Sequence, residues 1–169
     1  MNTVQTGTED ITRQAEEHIA QLLTIMGFNE IRIVCTLRIP DDKRHSNEKH
    51  LHVALEAQEI GRLLIGVHGE HLLALQHIVR SVLWCRLQES VRVTVDVNSY
   101  LAHRERSLQQ LAEHSARKAQ CSGRAVVLRP MTAFERRIIH TALGSRSDVS
   151  TESLGEEPNR RVIIRPVFI

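Results

Sequence analysis

Apolar positions recur along the chain at two periods, one near 3.6 residues and one of two. Residues 1–8 are polar and are expected to form a disordered tail. From Thr8 to Met26, Ile11, Ala15, Ile19, Leu22, Leu23 and Met26 share one helical face that Gly27 closes, with Asp10 or Thr8 placed to cap its start. Ile31, Ile33 and Cys35 then alternate with Arg32 and Val34, and Leu51, Val53 and Leu55 with His50, His52 and Ala54. These predict two strands joined as a hairpin by the charged turn from Pro40 to Lys49. An apolar stretch, Ile60 to Ile65, leads into the tetrad Gly66-Val67-His68-Gly69. Leu72, Leu75, Ile78, Val79, Val82 and Leu83 follow at helical spacing through Cys85, which reads as core. Val91, Val93, Val95 and Val97 alternate with Arg92, Thr94 and Asp96 as a third strand. The order is α-β-β-α-α-β, a first domain over residues 9–97.

The second half reads α-β-α-β-β over residues 98–166. Asn98 or Ser99 caps a helix whose face carries Leu101, Leu108, Leu111, Ala112, Ser115 and Ala119, ending near Ser122-Gly123. A strand from Ala125 to Leu128 precedes Pro130. Thr132 with Glu135 three positions on is a capping-box pattern, opening a helix to Gly144 whose buried side takes Phe134, Ile138 and Ile139. Val149–Leu154 and Arg161–Ile164 form two strands around Gly155-Glu156-Glu157-Pro158. The fold class is α/β (α+β), as two small domains.

Composition narrows the function. Aromatics make up 3% of the 169 residues, which argues against a ligand pocket lined by rings and against stacking of many bases. No apolar run is long enough to span a bilayer and no signal peptide opens the chain, so a soluble, cytoplasmic protein without membrane insertion is expected. Cys35, Cys85 and Cys121 form no CxxC pair or disulfide framework, which fits a reducing compartment. The halves differ in charge: residues 1–98 hold 10 Lys/Arg against 13 Asp/Glu, residues 99–169 hold 12 against 7. A basic second half points to a polyanionic partner.

Two constellations carry chemistry. In Gly66-Val67-His68-Gly69 the glycines permit a sharp turn and close approach of a ligand backbone, and the helix that follows directs free N–H groups at the turn. After a β-hairpin and between helices, this matches the GxxG loop that clamps single-stranded nucleic acid in KH domains. The bland alternative is a tight turn between packed helices. In the second half Arg136 and His140, four apart, project from one helix face and are spaced to reach phosphates of one strand; the bland alternative is a solvated face. His50 with His52 and His68 with His71 lack a convincing third ligand, so no metal is expected. No Walker loop, nucleophile elbow or carboxylate pair is present, so neither catalysis nor a cofactor is inferred.

The run Leu64-Ile65-Gly66-x-x-Gly69-Glu70-x-Leu72-x-Ala74-Leu75-Gln76 and the strand Val91 to Asp96 resemble the KH domain of the Jag, or SpoIIIJ-associated, family. The stretch Arg124 to Leu143 and Gly155-Glu156-Glu157-Pro158-x-Arg160-Arg161-Val162 resemble that family's R-three-H domain, named for Arg-x-x-x-His, here Arg136 and His140. The resemblance spans about residues 10–166 and leaves no expected room for the amino-terminal Jag module of many relatives. It implies a type II KH domain followed by an R-three-H domain. The implied protein binds single-stranded nucleic acid, RNA ahead of single-stranded DNA, regulates cell elongation and division in bacteria, and pairs with a small single-KH protein. Ile65, Gly66, Val67, His68 and Gly69 would clamp one stretch of RNA, with Ile65, Leu72 and the second and third strands as an apolar floor under the bases. Arg136, Arg137, His140, Arg160 and Arg161 would hold a second stretch. Relatives commonly place basic residues where Val67 and His68 stand. With the acidic first half, that keeps a rival reading open: a protein-interaction module whose KH site no longer binds RNA.

Overall fold

The computed structural model describes residues 3–38, 49–87 and 91–167. The chain divides into two compact units, Met1–Tyr100 and Leu101–Ile169. The turn expected from Pro40 to Lys49 lies outside the described residues except for Lys49, which opens a strand.

The first unit runs α1 (Thr3–Ile25), β1 (Arg32–Arg38), β2 (Lys49–Glu56), α2 (Gly61–Ile65), a 3₁₀ turn (Val67–Gly69), α3 (Glu70–Leu87) and β3 (Val91–Val97). The sheet order is β1-β2-β3, with β1 antiparallel and β3 parallel to β2. The parallel pairing follows from the connection: α2 and α3 carry the chain back over the sheet before β3 begins. Period-two alternation sends Leu51, Val53, Leu55, Val93, Val95 and Val97 to one face, where all are buried. Ala15, Ile19 and Leu23 of α1 and Leu72, Leu75, Val79 and Leu83 of α3 are buried with them, and α1 lies against β1 and α3 against β3. Both outer strands have a backbone N–H tied to a helix: Cys35 N–H donates to Glu16 Oε1 at 2.8 Å, and Val95 N–H to Gln76 Oε1 at 3.1 Å. Burial, and then the Glu16 charge, push the Cys35 thiol up to about 12.

Three expectations change in this unit. The helix starts at Thr3, so most of the stretch expected to be a disordered tail is helical. No proline interrupts it, and once nucleated each added residue gains a backbone hydrogen bond. Asp10 lies inside the helix and accepts from Gln14 at 2.9 Å rather than capping it. Cys85 and Ile78 are exposed, because at about 100° per residue both fall well round the cylinder from the Leu72-Leu75-Val79-Leu83 stripe.

Asn98 does not cap the next helix. Its amide is committed to Ala57, with Ala57 N–H donating to Oδ1 at 2.9 Å and Nδ2 donating to Ala57 O at 2.6 Å. Ser99, at φ 58°, is in the left-handed region rather than the extended geometry of an N-cap.

The second unit holds α4 (Tyr100–Ser122, from Leu101 on), β4 (Val126–Pro130), α5 (Ala133–Leu143), β5 (Val149–Leu154) and β6 (Arg161–Pro166). Its sheet is antiparallel in the order β4-β6-β5. Leu108, Ala112, Ala116 and Ala119 of α4 pack with Leu128, Ile139, Leu143, Val149, Val162 and Ile164. The small alanines let α4 approach the other elements closely. Arg146 links α4 to the β5 approach, pairing Glu113 at 2.8 Å and Asp148 at 2.6 Å. Phe134, expected in the core, is 60% exposed, since Ile139 and Leu143 hold the inward stripe of α5.

Candidate nucleic-acid interface

The tetrad is built by its backbone. Gly66 has φ +71° and Gly69 φ +86°, conformations that L side chains rarely adopt, and His68 between them also takes a left-handed φ of 55°. A Cβ on Gly66 would sit 2.4 Å from the His71 ring, and one on Gly69 3.1 Å from Tyr100. His71 is held there by Nδ1–H donating to Leu63 O at 2.7 Å. Each glycine is therefore required by the fold itself. Val67, 68% exposed, and His68 point outward at the start of α3, and Ile65 is half-buried behind them. Glu70, in the first turn of α3, favours the helix dipole but sets a negative charge beside the loop.

The expected apolar floor is not available. Leu72 is 4% exposed, and the apolar residues of β2 and β3 face the helices. The outward residues of those strands are His50, His52, Ala54, Arg92, Thr94 and Asp96. Alternation decides this: the pleat that sends the valines inward turns the polar set outward.

In the second unit the capping box is present, with Glu135 N–H donating to Thr132 Oγ1 at 3.3 Å and Thr132 N–H to Glu135 Oε2 at 3.0 Å. Glu135 is buried and also accepts from Arg104 Nε at 2.8 Å, fixing the start of α5 to α4. The next residue, Arg136, is not on a solvated face: it is 7% exposed. Its Nε donates to Met131 O at 3.3 Å and its Nη2 is ion-paired with Glu157. His140 bridges to β5, with Nδ1 against Thr151 Oγ1 at 2.6 Å and Nε2 against Ser153 Oγ at 2.8 Å. Burial first, and then the Arg136 charge, hold its imidazole below the ordinary histidine value. A neutral ring, one nitrogen donating and the other accepting, suits two hydroxyls.

Thus Arg136 and His140 are together, but as internal ties from α5 to the β5–β6 hairpin. Arg137 and Arg160 are exposed, and Arg161 is half-buried with Nε donating to Asn159 O at 3.2 Å. The sequence reading missed Glu157 as the partner of Arg136; its place in the hairpin turn was legible, the pairing was not. The paired histidines also have other commitments: His50 Nε2 lies 2.8 Å from Thr94 Oγ1, and His71 holds Leu63. Among the described residues no three His, Cys, Asp or Glu side chains are grouped to hold a metal ion, and no helix is long and apolar enough to cross a membrane.

Comparison with known proteins places this geometry. The R-three-H domain family matches residues 106–166. The RNA-binding protein KhpB of Clostridium symbiosum is 40% identical over 120 residues, covering 71% of this chain and 54% of that protein. The RNA-binding protein KhpB of Streptococcus pneumoniae is 33% identical over 155 residues, 92% of this chain and 45% of that protein. That of Bacillus subtilis is 34% identical over 108 residues, 63% of this chain and 52% of that protein. The chain spans about half the length of the curated relatives it matches. An R-three-H domain thus follows an α-β-β-α-α-β unit in a chain that is similar, along most of its length, to these RNA-binding proteins.

Proposed function

We propose that this chain binds single-stranded RNA, with the Gly66–Gly69 loop admitting the sugar-phosphate backbone and exposed arginines of the second unit holding a further stretch. The observation that carries the reading is the loop: two left-handed glycines with outward Val67 and His68 at the head of an eighteen-residue helix. The relatives' name adds the class of ligand. Arg137, Arg160 and Arg161 supply the phosphate contacts of the second unit, while Arg136 and His140 hold the hairpin that carries Arg160 and Arg161. Phosphate contacts fix position without reading sequence, so base preference rests with the first unit.

The test places Asp at both Val67 and His68. This sets two negative charges at the clamp and leaves both glycines intact. Short-RNA affinity, read by fluorescence anisotropy, is expected to fall at least tenfold, about 1.4 kcal/mol. Unchanged affinity in the folded double variant would favour a second reading, a protein-interaction module. That reading draws on Leu73 and Trp84, which stand 59% and 61% exposed on α3. A single-KH protein partner would be sought there.

A further inference from the structure

The sheet of the first unit has a second face, turned away from α1 and α3. On it the strand register sets three basic residues in one row: Arg38 opposite His50, and His50 opposite Arg92. With strands about 4.8 Å apart, two guanidinium groups flank one imidazole within about 10 Å. Arg38 and Arg92 are exposed and His50 is half-buried, its ring placed by Thr94. Among the described residues neither arginine is ion-paired, whereas Arg32, Arg104, Arg136, Arg146 and Arg165 each hold a carboxylate. His52 stands in the adjacent row. The acidic residues described on this face are at the other end: Asp96 is two rows away and Glu56, paired with Arg32, is three.

Like charges directly opposite one another destabilise a sheet. The crowding is felt at His50, whose pKa is lowered by burial and then by Arg92, His52 and Arg38. A row of this kind is relieved by a bound anion.

We infer that the Arg38-His50-Arg92 row is a further phosphodiester-backbone site of the first unit, taking up single-stranded RNA beyond the segment held at Gly66–Gly69. The inference rests on the RNA reading above. The outward face of the three strands bears no Phe, Tyr or Trp and its row is cationic, so the contact assigned here is to the backbone, independent of sequence. Its position sets the length of RNA required. Gly61 abuts Val97 and Asn98, and Gly69 abuts Tyr100, so the loop lies at the carboxyl end of β3. Arg92 is at the amino end, about 17 Å back along the strand and on the opposite face. The four or so nucleotides that a GxxG loop clamps cannot reach it; a longer strand passing round the sheet edge can.

The experiment compares oligouridines of about five and about fifteen nucleotides by anisotropy across a salt series. It uses the native chain, Arg38→Ala/Arg92→Ala and Arg38→Lys/Arg92→Lys. In the native chain the log–log salt slope should steepen from the short to the long oligomer, and about 1.4 of that increment, about 0.7 for each of two phosphate contacts, belongs to Arg38 and Arg92, the remainder to the arginines of the second unit. The alanine pair should lose about 1.4 of that increment and about tenfold in long-oligomer affinity, while binding the short one as the native chain does. The lysine pair should keep the increment, because a point charge still meets a phosphate. An alanine pair with the native slope and affinity for the long oligomer overturns the proposal and leaves the row to a partner protein. Equal loss on both oligomers overturns it as well. Failure of the native chain to bind either oligomer is a different result, which refutes the RNA reading itself.

Discussion

Arg136→Ala separates two roles that the motif's spacing alone confounds. The substitution removes a guanidinium that is 7% exposed, together with its bond to Met131 O and its pair with Glu157. Hydrogen bonds to charged groups contribute about 1.5–3 kcal/mol each. Glu157, more than half exposed, returns to water on losing its partner, which sets its share at the low end. The loss is then about 3 kcal/mol. For a unit the size of Leu101–Ile169 this corresponds to a midpoint lower by roughly 15 °C. The single tryptophan, Trp84, lies in the first unit. Its fluorescence should therefore keep its transition while far-UV circular dichroism shows a second, earlier one. Measured below that transition, the salt slope for RNA should match the native chain. A stable variant whose slope drops by about 0.7 would refute the reasoning, because it would make Arg136 a phosphate ligand rather than a tie.

The two depressed histidines give a pH dependence of defined sign. His140 in the second unit and His50 in the first are both held below their ordinary 6.5, chiefly by burial. The unfolded chain therefore takes up protons first, and their contribution stands in full above about pH 6.5 and is lost as pH falls through the depressed values. Thermal midpoints should be lower at pH 5.5 than at pH 7.5, and His140→Gln should flatten that response only in the transition that Trp84 does not report. Gly66→Ala must accept a left-handed φ and displace the His71 ring. A loss of about 2 kcal/mol is expected in urea unfolding followed at Trp84, and an unchanged midpoint would show that the loop relaxes freely. Asn98→Ala removes both bonds to the Ala57 backbone and should destabilise the first unit by about 2 kcal/mol in the same assay.

What was legible in the sequence was what neighbours along the chain decide. The valines of β3 alternate over seven residues, and alternation of that length has one interpretation. Thr132 and Glu135 meet within one helical turn, so the capping box needs only local spacing. The glycines of the tetrad mark a turn by their backbone freedom, and the turn is there. Arg136 reads differently because Glu157, its partner, is 21 residues away across the α5–β5–β6 path. The same spacing that sets Arg136 and His140 on one helix face is compatible with water, phosphate or a hairpin lying on that face. Asn98 failed as a predicted cap for a related reason: its amide meets Ala57, 41 residues earlier, once β2 and β3 pair. Ile78 and Cys85 show a third limit, since an apolar residue reads as core in any pattern wide enough to include it.

The ties at the two margins of the first sheet bear on how this protein meets others. A sheet edge with free N–H groups invites a foreign strand, which is how many peptides dock and how misassembly spreads. Here an incoming strand at β1 would have to displace Glu16 from Cys35, and one at β3 would have to displace Gln76 from Val95. Sheet growth from either side is thus opposed at its middle by a helix already bonded there. The same ties leave association through helical surfaces or the outward sheet face of this unit unhindered.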